Sequence, residues 1–306
     1  MRTVASRLAY TLVVLLLVIL VAFVGLRLAP GDVTAAVLDP MRATPEAIEG
    51  LRQSLGIDAP VHEQFLVYLG GLAQGNLGVS LVTGEPVRTI VVRAGGSTLL
   101  LAGTALVLTY LLAIPLGVMA GRYKGSWLDR GVNTVAGAMM ATPNFALAVL
   151  LVLVFSIQLG WLPVAGTGSW RHLVLPAVVL AAEPIGFATR MVRTSYLEQA
   201  SAPYVDAFRA RGIADRVIRW RHVLRNSLLP VISLAAVQIR SLVGYTLIVE
   251  VIFRWPGLGR RLVESILLRD YLVAQSLTLL LAVVVVLTTL ISEILYRTAD
   301  PRVRAT

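Results

Sequence analysis

The sequence predicts an all-α polytopic membrane protein with six transmembrane helices and both termini in the cytoplasm. Three observations lead there. The 306 residues are 57% hydrophobic and only 14% charged. Apolar runs near the roughly 20 residues needed to cross a bilayer recur along the chain. Basic residues gather in alternate connecting segments, as they do where a loop stays on the cytoplasmic side.

The first run, 8–26, lies between Arg7 and Arg27. Arg2 and Arg7 give it the basic start of a secretory signal. However, it is longer than a signal's apolar region, and the following RLAPGD has no small-x-small cleavage site, so it reads as a retained span. Further spans are expected at 98–120, 133–157, 173–192, 228–252 and 272–296. Pro115, Pro143, Pro176 and Pro184 fall in them or at their ends, which neighbouring helices in a bundle tolerate. Residues 193–227 hold seven arginines against three acids, whereas the long loop 29–96 holds four against seven. The first of these segments is therefore expected inside and the second outside. Arg122, Lys124 and Arg130, facing only Asp129, agree. Arg254, Arg260, Arg261 and Arg269 run against the rule, partly offset by Glu264 and Asp270. Within the external loop, Thr44-Pro45-Glu46 marks a helix start and Gly56 a stop, so short helices are expected near 45–55 and 61–73. Trp161, Trp170, Trp255 and Tyr296 read as interfacial anchors.

Composition also removes function classes. No cysteine is present, which excludes thiolate metal sites and cysteine nucleophiles, and His62, His172 and His222 are scattered. A P-loop requires G-x-x-x-x-G-K-[ST], but the single lysine, Lys124, sits in GRYKGS. Serine-hydrolase, zincin and dinucleotide-binding patterns are missing as well. The chain is expected to be non-catalytic and to bind no cofactor, so any chemical energy must come from another chain.

The stretch YVDAFRARGIADRVIRWRHVLRNSLLP, 204–230, carries six arginines. It reads as two amphipathic helices broken at Gly212, where glycine permits a positive-φ turn, with Pro230 at the return to the next span. Such a basic helix can rest on anionic lipid, but adsorption requires no fixed placement of Asp206, Gly212, His222, Arg225, Asn226 and Pro230. Two ionisable residues fall inside spans: Glu183 in the fourth and Arg240 in the fifth. Each must face protein, a partner or water. Their similar depth makes them candidates for a structural ion pair or for lining a pathway. Glu250, Pro256 and Gly257 form a candidate gate at the outer end of the fifth span.

The ordered motif set resembles the membrane subunits of ATP-binding-cassette importers of the dipeptide/oligopeptide/nickel permease family. The 204–230 stretch resembles their EAA loop. Asp206-Ala207 is the acid-alanine element, Phe208 stands where a second alanine is usual, and Gly212, His222-Val223-Leu224-Arg225-Asn226 and Pro230 follow. LRLAPGD at 26–32, LGIDAPVHEQFLVYLGGLAQGNLGVSLVTGEPV at 55–87, LGWLPVAG at 159–166, EVIFRWPGLG at 250–259 and YRTADPR at 296–302 extend the resemblance over almost the whole chain.

The resemblance implies a type I importer permease fold in a single permease domain, 1–306, sited in the bacterial cytoplasmic membrane. It implies a second homologous permease, two ATPase subunits carrying ATP and Mg, and an extracytoplasmic solute-binding protein. Coupling to the ATPases would fall to the 193–227 segment, through Asp206, Ala207, Phe208, Gly212, Arg216, His222, Arg225, Asn226 and Pro230. Di- and oligopeptides are the expected solutes, with nickel or another small solute as the alternative. An ion-coupled secondary transporter would need coupling-ion residues and, usually, an internal repeat; the chain offers one candidate pair and no clear repeat.

Overall fold

The computed structural model describes residues 2–28, 44, 49 and 59–299. They are almost entirely helical: α1 Arg2–Leu28, α2 Val61–Ala73, α3 Val87–Arg122, α4 Trp127–Ala141, α5 Asn144–Leu151, α6 Arg171–Ala200, α7 Pro203–Ala210, α8 Asp215–Val217, α9 Leu224–Ser227, α10 Leu229–Ile252, α11 Leu258–Leu267 and α12 Tyr271–Ala299. Two π-helical stretches, Val152–Gln158 and Ile218–Val223, continue α5 and join α8 to α9. The expected helix at 45–55 lies outside the described residues. That at 61–73 is α2.

Four helical runs among the described residues are long and apolar enough to cross a bilayer: Val87–Arg122, Arg171–Ala200, Asp215–Ile252 and Tyr271–Leu290. The expected third span at 133–157 is sharply bent. Trp127–Ala141 and Asn144–Gln158 meet at 108°. The residue before a proline is steered out of the helical region, and Thr142, before Pro143, sits at φ −89 and ψ 119. Pro115, Pro176 and Pro184, by contrast, lie inside continuous helices. Pro230 marks the return to the next span, as expected. It occupies the first turn of α10, where a missing N–H costs nothing.

Contacts divide the chain into two units. The first comprises residues up to Thr98 with Pro256–Val286. Its apolar centre is Val87, Ile90, Ala94, Leu258, Val273 and Leu277, while Phe23 packs edge-on against Phe65 with ring centroids 5.0 Å apart. An isolated bridge between Val79 and Pro86 closes a turn. Asp270 holds that turn by accepting from the Ser80 hydroxyl and from the Leu81 N–H.

The second unit, Leu99–Trp255 with Leu287–Thr306, is built on α6. Fifteen of the 30 residues of α6 are buried, many of them Ala, Gly, Ser and Thr, as expected where helices associate within lipid through close van der Waals approach. A Cβ on Gly117 of α3 would lie 2.6 Å from Val192 Cβ and 2.7 Å from the Thr189 carbonyl oxygen of α6. A Cβ on Gly186 would meet the Ala136 carbonyl oxygen at 2.6 Å. Trp255, expected as an interfacial anchor, is instead buried in this core with Phe253 and Leu180. Trp161 and Trp170 are exposed.

A polar clamp fixes α4 to α6. Asp129 is 4% exposed and accepts two hydrogen bonds from Arg193, Nε to Oδ1 at 2.6 Å and a terminal nitrogen to Oδ2 at 2.8 Å. The Gly125 N–H and the Asn133 amide complete its coordination, and its own N–H is capped by the Ser126 hydroxyl.

Two outcomes follow from this packing. Asp129→Ala strands a largely buried guanidinium, which typically costs about 3 kcal/mol or more; thermal melting of the purified protein in detergent should show a large drop. Gly117→Val overpacks the α3–α6 contact by about 1–3 kcal/mol, and Gly103→Val, with nothing within 4 Å of its Cβ, should leave the melting temperature unchanged.

Candidate functional site

The hairpin between α6 and α10 starts with Ala202 in an extended conformation and Pro203 in the first turn of α7. The helix ends in a left-handed turn at Gly212, φ +74. The Ile213 N–H donates to the Phe208 carbonyl and the Gly212 N–H to that of Arg209, the pattern by which a helix C-terminus satisfies its last acceptors through a glycine. From Asp215 the second arm is helical through to Ile252.

The arms have distinct faces. Val205, Ile218 and Val223 are buried with Tyr196 of α6, and Tyr204, Phe208, Ile213 and Val118 pack against them. Phe208, the departure from the EAA pattern, belongs to this inner face: its ring lies 4.4 Å from that of His222 and 5.8 Å from that of Tyr204. It closes the hairpin. The outer face presents Asp206, Ala207, Arg211, Arg216 and Arg221, with Val217 and Trp220 exposed one turn apart. Trp220 is therefore not packed on its own bundle. Arg209 bridges the arms, bonding Asp215 at 3.1 Å and Asp206 at 3.2 Å. Those carboxylates, Asp215 foremost, raise its guanidinium above the ordinary range. Arg219 also reaches Asp215. Arg225 and Pro230 are exposed, and Asn226 is half-buried.

Glu183 and Arg240 are not brought together: among the described residues no ion pair joins them. Helical periodicity explains why. The face of α10 that meets Glu183 and Pro184 carries Leu234, Val237, Gln238, Ser241, Leu242 and Tyr245, and Arg240 lies outside it. Glu183 lines a cleft of about 170 Å³ with Gln238, Ser241, Tyr245, Phe187 and Leu234. Tyr245 shares that cleft with it. Gln238 is fixed at both ends of its amide, donating to the Pro184 carbonyl at 3.0 Å and accepting from the Tyr110 hydroxyl. Arg240 is exposed. An unpaired arginine at the centre of a span costs about 2.5–3.5 kcal/mol on insertion scales.

Glu250 is fully buried, and its carbonyl accepts from the Trp255 N–H across a turn in which Arg254 takes φ 51. Pro256 and Gly257 belong to the other unit. Gly257, at φ −92 and ψ −179, caps the start of α11, and the Leu258 N–H donates to the Thr98 hydroxyl at 2.8 Å.

Tyr245 and the Asp129–Arg193 clamp escaped the sequence reading. The first had a visible signal, because Gln238, Ser241 and Tyr245 are polar at i, i+3 and i+7 in an apolar span. The second had only half of one: Ser126 three residues before an acid marks a helix start, but nothing local names Arg193.

Residues 113–305 match the family described as binding-protein-dependent transport system inner membrane component, and residues 1–102 match its N-terminal region. The glutathione transport system permease protein GsiC of Escherichia coli is 35% identical over 301 residues, covering 98% of each chain. The same figures hold for GsiC of Shigella dysenteriae and of Salmonella choleraesuis. A solved inward-facing structure of the MetNI methionine ABC transporter superposes with a TM-score of 0.57 at 22% identity, over 71% of this chain and 99% of that one, and so shares the fold. The chain belongs to the binding-protein-dependent transport system inner-membrane components, the non-catalytic, multi-pass permease subunits of ABC importers that work with ATPase and solute-binding partners.

Proposed function

We propose that this permease serves a di- or oligopeptide importer and that the 204–230 hairpin is its coupling element. The chain pairs with a second homologous permease, and the two dock on two ATPase subunits that bind the ATP and Mg. Both termini and the hairpin are cytoplasmic, and the 29–96 segment faces the solute-binding protein. The peptide assignment is supported by the permease relatives named for glutathione, itself a small peptide.

One observation carries the coupling role: the hairpin is apolar and interlocked on its inner face, open on its outer face, and helically continuous with the span carrying Arg240. An element of this shape turns displacement of a docked partner into displacement of a span, as packed helices transmit rigid-body shifts. Ala207, Val217 and Trp220, ringed by Arg211, Arg216 and Arg221, form the docking face. Buried tryptophan and arginine dominate most protein interfaces.

The tests are two substitutions in the reconstituted complex, read as ATP hydrolysis stimulated by the loaded binding protein. Trp220→Ala removes an anchor and should lower stimulated hydrolysis and uptake about tenfold or more. Gly212→Val strains the left-handed turn and should uncouple hydrolysis from uptake while the chain still inserts. Coupling unchanged in both would remove the hairpin from the mechanism.

A further inference from the structure

Arg240 lies near the middle of α10, roughly 17 Å along the helix axis from either end at 1.5 Å per residue. A side chain reaching only ~6 Å cannot carry its guanidinium out to the membrane surface by snorkelling. Among the described residues it has no hydrogen-bond or ion-pair partner, and its side chain is exposed. The acid at similar depth, Glu183, lies in the cleft lined by Gln238, Ser241 and Tyr245, and among the described residues it forms no ion pair with Arg240. Among the described residues, none neutralises the cation.

The surroundings of Arg240 are open rather than packed. Arg240, Gly244 and Ile248 form an exposed stripe along α10, and nothing lies within 4 Å of the place a Cβ on Gly244 would take. A stripe holding a permanent charge at this depth does not face hydrocarbon. It faces water or an anionic group. A guanidinium presents parallel N–H donors whose spacing matches a carboxylate.

We propose that Arg240 is a carboxylate-binding site in the translocation pathway, receiving the terminal carboxylate of the solute in transit. The assignment rests on the importer reading above and adds the chemical group that is recognised. Gly244, one turn away, leaves the room that a solute backbone needs beside the guanidinium.

The test is arginine footprinting of the assembled, ATP-free complex with phenylglyoxal, located at Arg240 by peptide mass spectrometry. Modification of Arg240 is expected, with at least fivefold protection by alanyl-alanine and none by alanyl-alanine amide. No modification in any state would place Arg240 against lipid or a partner's acid and overturn the proposal; equal protection by both peptides would do the same. In proteoliposomes, Arg240→Gln should co-purify with its partner subunits yet take up alanyl-alanine at least tenfold more slowly, and Arg240→Lys should recover part of that rate. Loss of co-purification, or uptake at the wild-type rate in Arg240→Gln, would contradict it. Should wild-type complex take up no alanyl-alanine while carboxylate-selective protection persists, the peptide reading falls and the carboxylate site stands.

Discussion

Lipid offers polar groups no solvent, and the rest of this structure depends on how the chain meets that constraint around α6. The helix is buried along half its residues, so its neighbours must come close enough for van der Waals contact to hold them. Glycines at 117 and 186 permit that approach. At the start of α4, beyond the expected spans, Asp129 is buried among protein groups, and every acceptor site is occupied: by Arg193 on two bonds, by the Gly125 N–H and by Asn133. A fully satisfied buried pair fixes orientation more than it adds stability. Here it sets α4 on α6.

That rigidity bears on the proposed coupling. Tyr196, three residues beyond Arg193 on α6, is also part of the inner face of the hairpin, with Val205, Ile218 and Val223. The scaffold that α4 is clamped to thus continues into the element that would meet the ATPase. At the other end the second arm runs into α10, which carries both the Gln238–Ser241–Tyr245 face beside Glu183 and the exposed stripe of Arg240. Motion imposed on the hairpin would reach two chemically different faces of one helix.

Much of the fold was legible because hydrophobic length is a local signal. The spans at 98–120, 173–192, 228–252 and 272–296 lie within observed helices, and α2 matches its expected bounds. Three features were not local. The 108° bend before Pro143 depends on Thr142 leaving the helical region, whereas Pro184 in a similar apolar run leaves α6 continuous. Trp255 looked interfacial from its position but is a core residue, because the turn at Arg254 directs it inward. Glu183 and Arg240 share depth but not azimuth, and only the register of α10 against α6 decides which residue each meets. In the hairpin, Gly212 could be read from its spacing, while the inward role of Phe208 required the second arm, four turns later in the chain, to bring His222 against it.

The natural absence of cysteine makes the central claim directly measurable. Single Phe208→Cys, Val217→Cys and Trp220→Cys variants would be labelled with a membrane-impermeant maleimide in inside-out vesicles, with and without the ATPase subunits. The account predicts rapid labelling at 217 and 220 that is blocked when the ATPases assemble, and slow labelling at 208 in both states. Labelling at 217 and 220 that is indifferent to the ATPases would contradict it.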